Sequence, residues 1–317
     1  VSAGALADSS AETKWVRVSK WAAIAGHWTT SLEPGPRFVP ALAPNNLGIA
    51  LANARFRDGV VRCGIKFESN DGAMTGESAG IVLGYHPELA TYHVVGLGAF
   101  EAAYAIWEFT GTGWQGRRVG GMIQNLQYNH DYSIEVVQKG QRLSLQVDDV
   151  LVLEHVLSSP LAGNQLGLYA MSKSPVQFGN LEIQQRAPTA FVVMQFGPPY
   201  DVLYKEVIRK VAKSLDFEVV RIDEVSRPGI IFQDIQRKIQ DAKVIIAEIT
   251  APNQNVYYEV GYADALNKPI ILLAQRGKEL PFDIHSYRVI FYDDSIGGKP
   301  AVEKTLREYL RTILQEL

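Results

Sequence analysis

The chain predicts two domains: an all-β sandwich of jelly-roll type, then an α/β domain built on a flavodoxin-like, doubly wound parallel sheet. Three observations lead there. Its 317 residues, 47% of them apolar, are more than one ordinary domain needs and enough to fill two cores. From about Trp15 to Gln185 short segments alternate apolar and polar residues between turn signals, with no helical period. After QQRAPTA, a short linker at 184–190, apolar strands begin to alternate with amphipathic helices. The expected boundaries are a flexible start at 1–14, a sandwich at 15–186 and an α/β domain at 190–317.

In the first half VVRCGIKFES, AGIVLGY, YHVVGLG, AAYAIWEF, YSIEVVQ, RLSLQV, VLVLEHV and QLGLYAM read as strands. Lys139-Gly140 and Asp148-Asp149 sit where hairpins reverse. Roughly a dozen strands without a helix favour two packed sheets over a small barrel. Glu101 with Glu108, or Asp148 with Asp149, would be the carboxylate pairs of a glycosidase; turn and surface roles account for them more simply. Trp107, Trp114 and Tyr104 could stack on a sugar face, although sandwich cores use aromatics in the same way. His27, His86, His93, His130 and His155 have no metal-ligand spacing, and no metal site is expected.

In the second half FVVMQF (191–196) is a continuous apolar strand. Leu203, Val207, Val211 and Leu215 fall on one face of a helix over 200–215. There follow the strand EVVRI, a helix through IIFQDIQRKIQ, the strand KVIIAEI, a helix over NVYYEVGYADAL, the strand PIILLA, a short VIFYD strand and a last helix from about Ala301. Strands apolar on both faces belong inside a parallel sheet covered by helices. Neither GxGxxG nor GxxxxGKS occurs, so the dinucleotide fingerprint and the P-loop are absent.

Ligands of such sheets bind beyond the carboxyl ends of the strands. The sequence puts Gln195 and Phe196 there after the first strand, Arg221, Asp223 and Arg227 after the second, Glu248, Asn253 and Asn255 at the third, and Asp283 further on. Tyr258 and Tyr262 add stacking surface and hydroxyls. Glu259 is the residue that needs explaining. With Asn253 or Asn255 as the helix N-cap, it lies beyond the position of a capping-box carboxylate, while Val256, Val260 and Ala263 take the sheet-facing stripe. Gly261 and Ala263 would let the helix approach the sheet and seat Glu259 low in a crevice. The plain alternative is a carboxylate favoured by the helix dipole. Arg221 and Arg227 are candidate phosphate contacts.

The order of pieces in the first half, from Gly26-His27-Trp28 through FRDGVVRCGIKF to QLGLYAMSKSPVQFGNLEI, resembles concanavalin A-like jelly rolls of the laminin-G type. That resemblance implies a glycan or protein ligand. In the second half, FVVMQF, RIDE, DIQRKIQDAKVIIAEIT, PNQNVYYEVGYADALNKPIILL and PFDI resemble the TIR-like and nucleoside 2-deoxyribosyltransferase-like domains. In those families a helix Glu acts at the anomeric carbon of the sugar, and the matching residue is Glu259. Deoxyribosyltransferases carry an acidic residue upstream of that Glu, where this chain has Asn253. The resemblance implies an N-glycosidase acting on NAD as substrate, with no cofactor, in a bacterial stress or antiphage effector that assembles as a homo-oligomer. The alternatives are a deoxyribosyltransferase or deoxynucleotide hydrolase, for which Glu248 or Asp223 would be the acid, and a non-catalytic nucleotide-binding signalling protein.

The bulk numbers narrow the partners. Of 31 basic and 34 acidic residues, 14 and 16 precede residue 187, so neither half has the basic excess of a duplex nucleic-acid binder. No apolar run reaches the eighteen or so residues of a spanning helix, and no membrane partner is expected. Cys63 is the lone cysteine, which fits a reducing, cytoplasmic setting. The start VSAGALADSSAET lacks the charged and apolar regions of a signal peptide, and a chain beginning at Val1 reads as trimmed.

Overall fold

The computed structural model describes residues 14–30, 34–40, 46–69, 74–224, 232–280, 288–293, 295 and 298–316. Alternating strands build two antiparallel sheets that pack face to face, the sandwich predicted from their period. One sheet runs Val150–Val156, Arg142–Val147, Tyr132–Lys139, Gly59–Phe67, Val176–Phe178, Arg37–Val39 and His27–Thr29, with Glu182–Gln185 and Val16–Arg17 joined at its side. The other runs Trp114–Gly120, Ala102–Thr110, Thr91–Ala99, Ser78–His86, Gln165–Met171, Leu47–Arg55 and Trp21–Ala25. Inward residues such as Ile65, Phe67, Ile81, Val95, Ile106, Ile134, Leu145, Leu168 and Phe178 form one buried core. The expected reversals are hairpin turns, with positive φ at Gly140, Asp148 and Asp149.

The outer side of the second sheet carries a second apolar cluster. Trp107 and Tyr169 stand on strands with two others between them, yet their rings meet edge-on at 5.5 Å. Trp114 reaches over to Tyr92 at 5.6 Å and Tyr169 at 5.3 Å. The sheet therefore curls, and its own aromatics fill the hollow. Trp107 is 2% exposed, so it is packing rather than an open sugar platform. Tyr104 packs against the main core. Glu101 sits on a turn at φ 61°, and Glu108 is held by Arg117, so they do not form a glycosidase pair.

Three residues, 186–188, separate the last sandwich strand from the second domain. Its strands are β1 (Thr189–Val193), β2 (Glu218–Arg221), β3 (Val244–Glu248), β4 (Ile270–Gln275) and β5 (Val289–Tyr292), all parallel, in the order β2-β1-β3-β4-β5. Helix α1 starts at Tyr200–Leu203, passes through a π-helical stretch at Tyr204–Ile208 and ends with Arg209–Lys213. The buried stripe is Tyr204, Val207, Ile208, Val211 and Ala212, the usual broad face of an amphipathic helix, with Leu203 and Leu215 half-buried at its border, so it is wider than the four-residue spacing read from the sequence. With α4 (Gly298–Glu316) it covers one face of the sheet, where Ala190, Val192, Val244, Ile246, Ile271 and Leu273 point. Helices α2 (Phe232–Asp241) and α3 (Gln254–Ala265) cover the other, over Phe191, Val193, Ile245, Ala247 and Leu272. Among the described residues no helix is long and apolar enough to cross a membrane.

Candidate active site

Helix α3 is where the sequence put its unexplained carboxylate, and the local chemistry explains the helix start. Asn253 is the N-cap, in extended conformation, its side chain accepting the Asn255 N–H at 3.0 Å. Val256, Val260 and Ala263 are buried against the sheet as expected. Gly261 instead faces outward with nothing near the place of a Cβ, so the close approach rests on Ala263 alone.

Glu259 begins the second turn and looks along the edge of that stripe into a cavity of about 640 Å³ at the carboxyl end of β1, walled by the first turns of α2 and α3. Gln195 and Phe196 enter it from the loop after β1, Phe232 and Ile235 from α2, and Asn253, Asn255 and Tyr258 from α3. Phe196, Phe232 and Tyr258 are each about half exposed, and the Phe232 and Tyr258 rings lie 4.8 Å apart, giving the mouth a surface on which a planar ring can stack. The amino end of α3 adds the positive end of its dipole. Glu259 is 9% exposed, and among the described residues no group donates a hydrogen bond to it. Burial alone pushes its carboxyl up to about 7.

Several predicted site residues stand elsewhere. Glu248, one position beyond Ala247 on β3, points to the opposite face of the sheet, toward α1 and α4. There it accepts hydrogen bonds from the Thr250 hydroxyl, the Thr250 N–H at 3.2 Å and the Tyr292 hydroxyl at 2.9 Å. Its Oε2 is buried without a partner, and burial raises its pKa. It is not among the residues lining the Glu259 cavity. Arg221 is no phosphate contact either: it is 4% exposed, forks onto Asp223 at 2.7 and 2.6 Å, reaches Asp201 at 2.8 Å and lies over the Tyr204 ring. Asp223 is consumed in the same pair. Tyr262 lies past the cavity, its hydroxyl accepting from Gln240 at 2.7 Å. Arg227 and Asp283 lie outside the described residues.

The sequence reading missed Phe232 and Ile235. Their signal was available, since they open an amphipathic helix that leads out of the second strand. Among the described residues no group of three or more His, Cys, Asp or Glu could hold a metal ion.

No family model matches the chain, and no curated protein does. Solved structures match about half of it. A carbohydrate-binding module, CBM66, from Bacillus subtilis is 16% identical over 52% of this chain and 94% of its own, with a TM-score of 0.44. The galectin LEC-6 of Caenorhabditis elegans is 19% identical over 46% and 94%, at 0.32, and a Bacillus licheniformis beta-glucanase 9% identical over 56% and 95%, at 0.36. Likenesses this remote say nothing about what the chain binds.

Proposed function

We propose that the α/β domain is an N-glycosidase that cleaves the nicotinamide–ribose bond of NAD, with Glu259 as its catalytic carboxylate. The sheet order 2-1-3-4-5 is that of flavodoxin-like folds, whose ligands sit beyond the strand ends where this cavity lies. The observation that carries the reading is that Glu259 is the only carboxylate among the described residues of the wall. A neutral nucleoside base must be protonated as it leaves and needs an acid beside the nucleophile or stabilising group. Glu248, on the other face, cannot supply one, nor can Asp223, paired with Arg221.

A pyridinium nucleotide needs no such acid. As the C1′–N bond breaks, its electron pair neutralises the ring nitrogen and nicotinamide leaves as a neutral molecule. Positive charge develops on the ribose, and the ionised Glu259 stabilises it or traps it in a low-dielectric site. Water then bonds to C1′ and gives up a proton, to Glu259 in the first instance. The aromatic mouth suits a planar base, and the α3 amino end suits a phosphate. The sandwich is the recognition module of a defence or stress effector in this reading, a role that rests on the family resemblance.

Chromatography of products from NAD, NADP, ribonucleosides and deoxynucleoside monophosphates tests it. Nicotinamide release from NAD, with the deoxynucleotides intact, is the expected result. Free base from a deoxynucleotide would transfer the site to the deoxyribosyltransferase-like reading.

A further inference from the structure

The two domains meet through the Lys139–Arg142 hairpin of the sandwich, which is pressed onto the carboxyl ends of the same two helices whose amino ends wall the cavity. Gly140 turns there at φ +55°, and a Cβ on it would come within 2.5 Å of Gln240 O and 2.6 Å of Asp241 O, the last carbonyls of α2. Its N–H donates to Asp58 of the sandwich at 2.6 Å. Arg142 forks onto both oxygens of Asp241 at 2.8 Å, with the Arg142 side chain 14% and Asp241 7% exposed. Gln141, 1% exposed, touches both helices at once: its N–H donates to Gln240 O at 3.0 Å, and its Nε2 to Leu266 O, just past α3, at 2.7 Å. Asn267 donates back to Ser158 O of the sandwich at 3.2 Å.

A buried side-chain amide is costly, and Gln141 leaves its Oε1 without a partner. Among the described residues α2 and α3 are joined by side chains: Gln240 donates to the Tyr262 hydroxyl, Gln236 to the Tyr258 hydroxyl at 3.2 Å, Phe232 packs on Tyr258, and the Lys268 ammonium just past α3 donates to Gln240 O and Ala242 O at 2.6 Å. That ladder leads straight from the hairpin to the residue preceding Glu259.

We infer that Gln141 and Arg142, from the sandwich, are positioning residues for the Glu259 cavity: the hairpin fixes the separation of α2 and α3 and thereby how open the site is. The sandwich is then part of the catalytic unit, and whatever occupies it can reach the site through this hairpin. Only the kinetic arm of the test below rests on the proposed activity.

The informative variant is Gln141→Leu in the full chain, which removes the side-chain contact to Leu266 O just past α3 together with the unsatisfied oxygen and leaves the backbone donation to Gln240 O in place. Arg142→Lys, which keeps the charge but loses the fork, is the second variant should the first fail to fold. Hydrogen exchange is expected to quicken at least fivefold at the amides of Gln236–Arg237 and Tyr257–Glu259, far from the substitution. The KM for NAD is expected to rise about tenfold, with kcat changed less. Faster exchange confined to 238–241 and 263–267 would overturn the inference, whether or not the protein cleaves NAD. With NAD cleaved, an unchanged KM would overturn it too.

Discussion

Glu259 is 9% exposed in its cavity and, among the described residues, receives no hydrogen bond, so ionising it there works against the fold. Its folded pKa, about 7, lies above the ordinary value of 4.5, so folding favours the protonated form. The contribution of this group to stability is therefore greatest below about 4.5 and is lost as pH rises through 7. Glu259→Gln is expected to unfold at higher denaturant than the parent at pH 8, by on the order of 2 kcal/mol, and to match it at pH 4. Denaturant titration at the two pH values reads this directly, and equal stability at pH 8 would mean that the carboxylate is solvated after all. On the proposed mechanism the ionised form is the active one: kcat/KM for nicotinamide release is expected to rise about tenfold per pH unit below 7 and to level above it.

At the scale of elements, the deciding fact is strand parity. Ile246 and Glu248 share one face of β3, Ala247 the other, so the two glutamates that the sequence brought to one sheet edge serve opposite faces. Glu248→Gln keeps the Tyr292 and Thr250 contacts within reach and is expected to change kcat/KM by less than about threefold, as steady-state kinetics would show. A hundredfold loss would return Glu248 to the site. The strands, the switch of period and the Asn253 cap were readable because each is a local pattern. Which helix covers which face is set by connections between distant strands, and no local pattern states it. The fate of Arg221 was hidden for a similar reason: its partner Asp201 comes from a different element, and a charged residue near a strand end reads alike whether it is spent or free.

At the scale of the molecule, the sequence anticipated two domains with a short link but not the hairpin that locks them. Lys139-Gly140 reads as a turn, and nothing in it announces that its backbone rests on helix carbonyls of the other domain. The sandwich also fills its hollow with Trp107, Trp114, Tyr92 and Tyr169. Trp107→Ala is therefore expected to cost about 3–5 kcal/mol of sandwich stability in a denaturant titration, the mark of a core residue; a variant as stable as the parent would reopen the sugar-platform reading. The central claim remains the carboxylate in the cavity. Its most direct test is the rate of nicotinamide release from NAD at pH 8 by the full chain and by Glu259→Gln, each shown by circular dichroism to be folded. Release by the parent that falls at least a thousandfold in the variant is the predicted result, and equal release by both would contradict the assignment of Glu259.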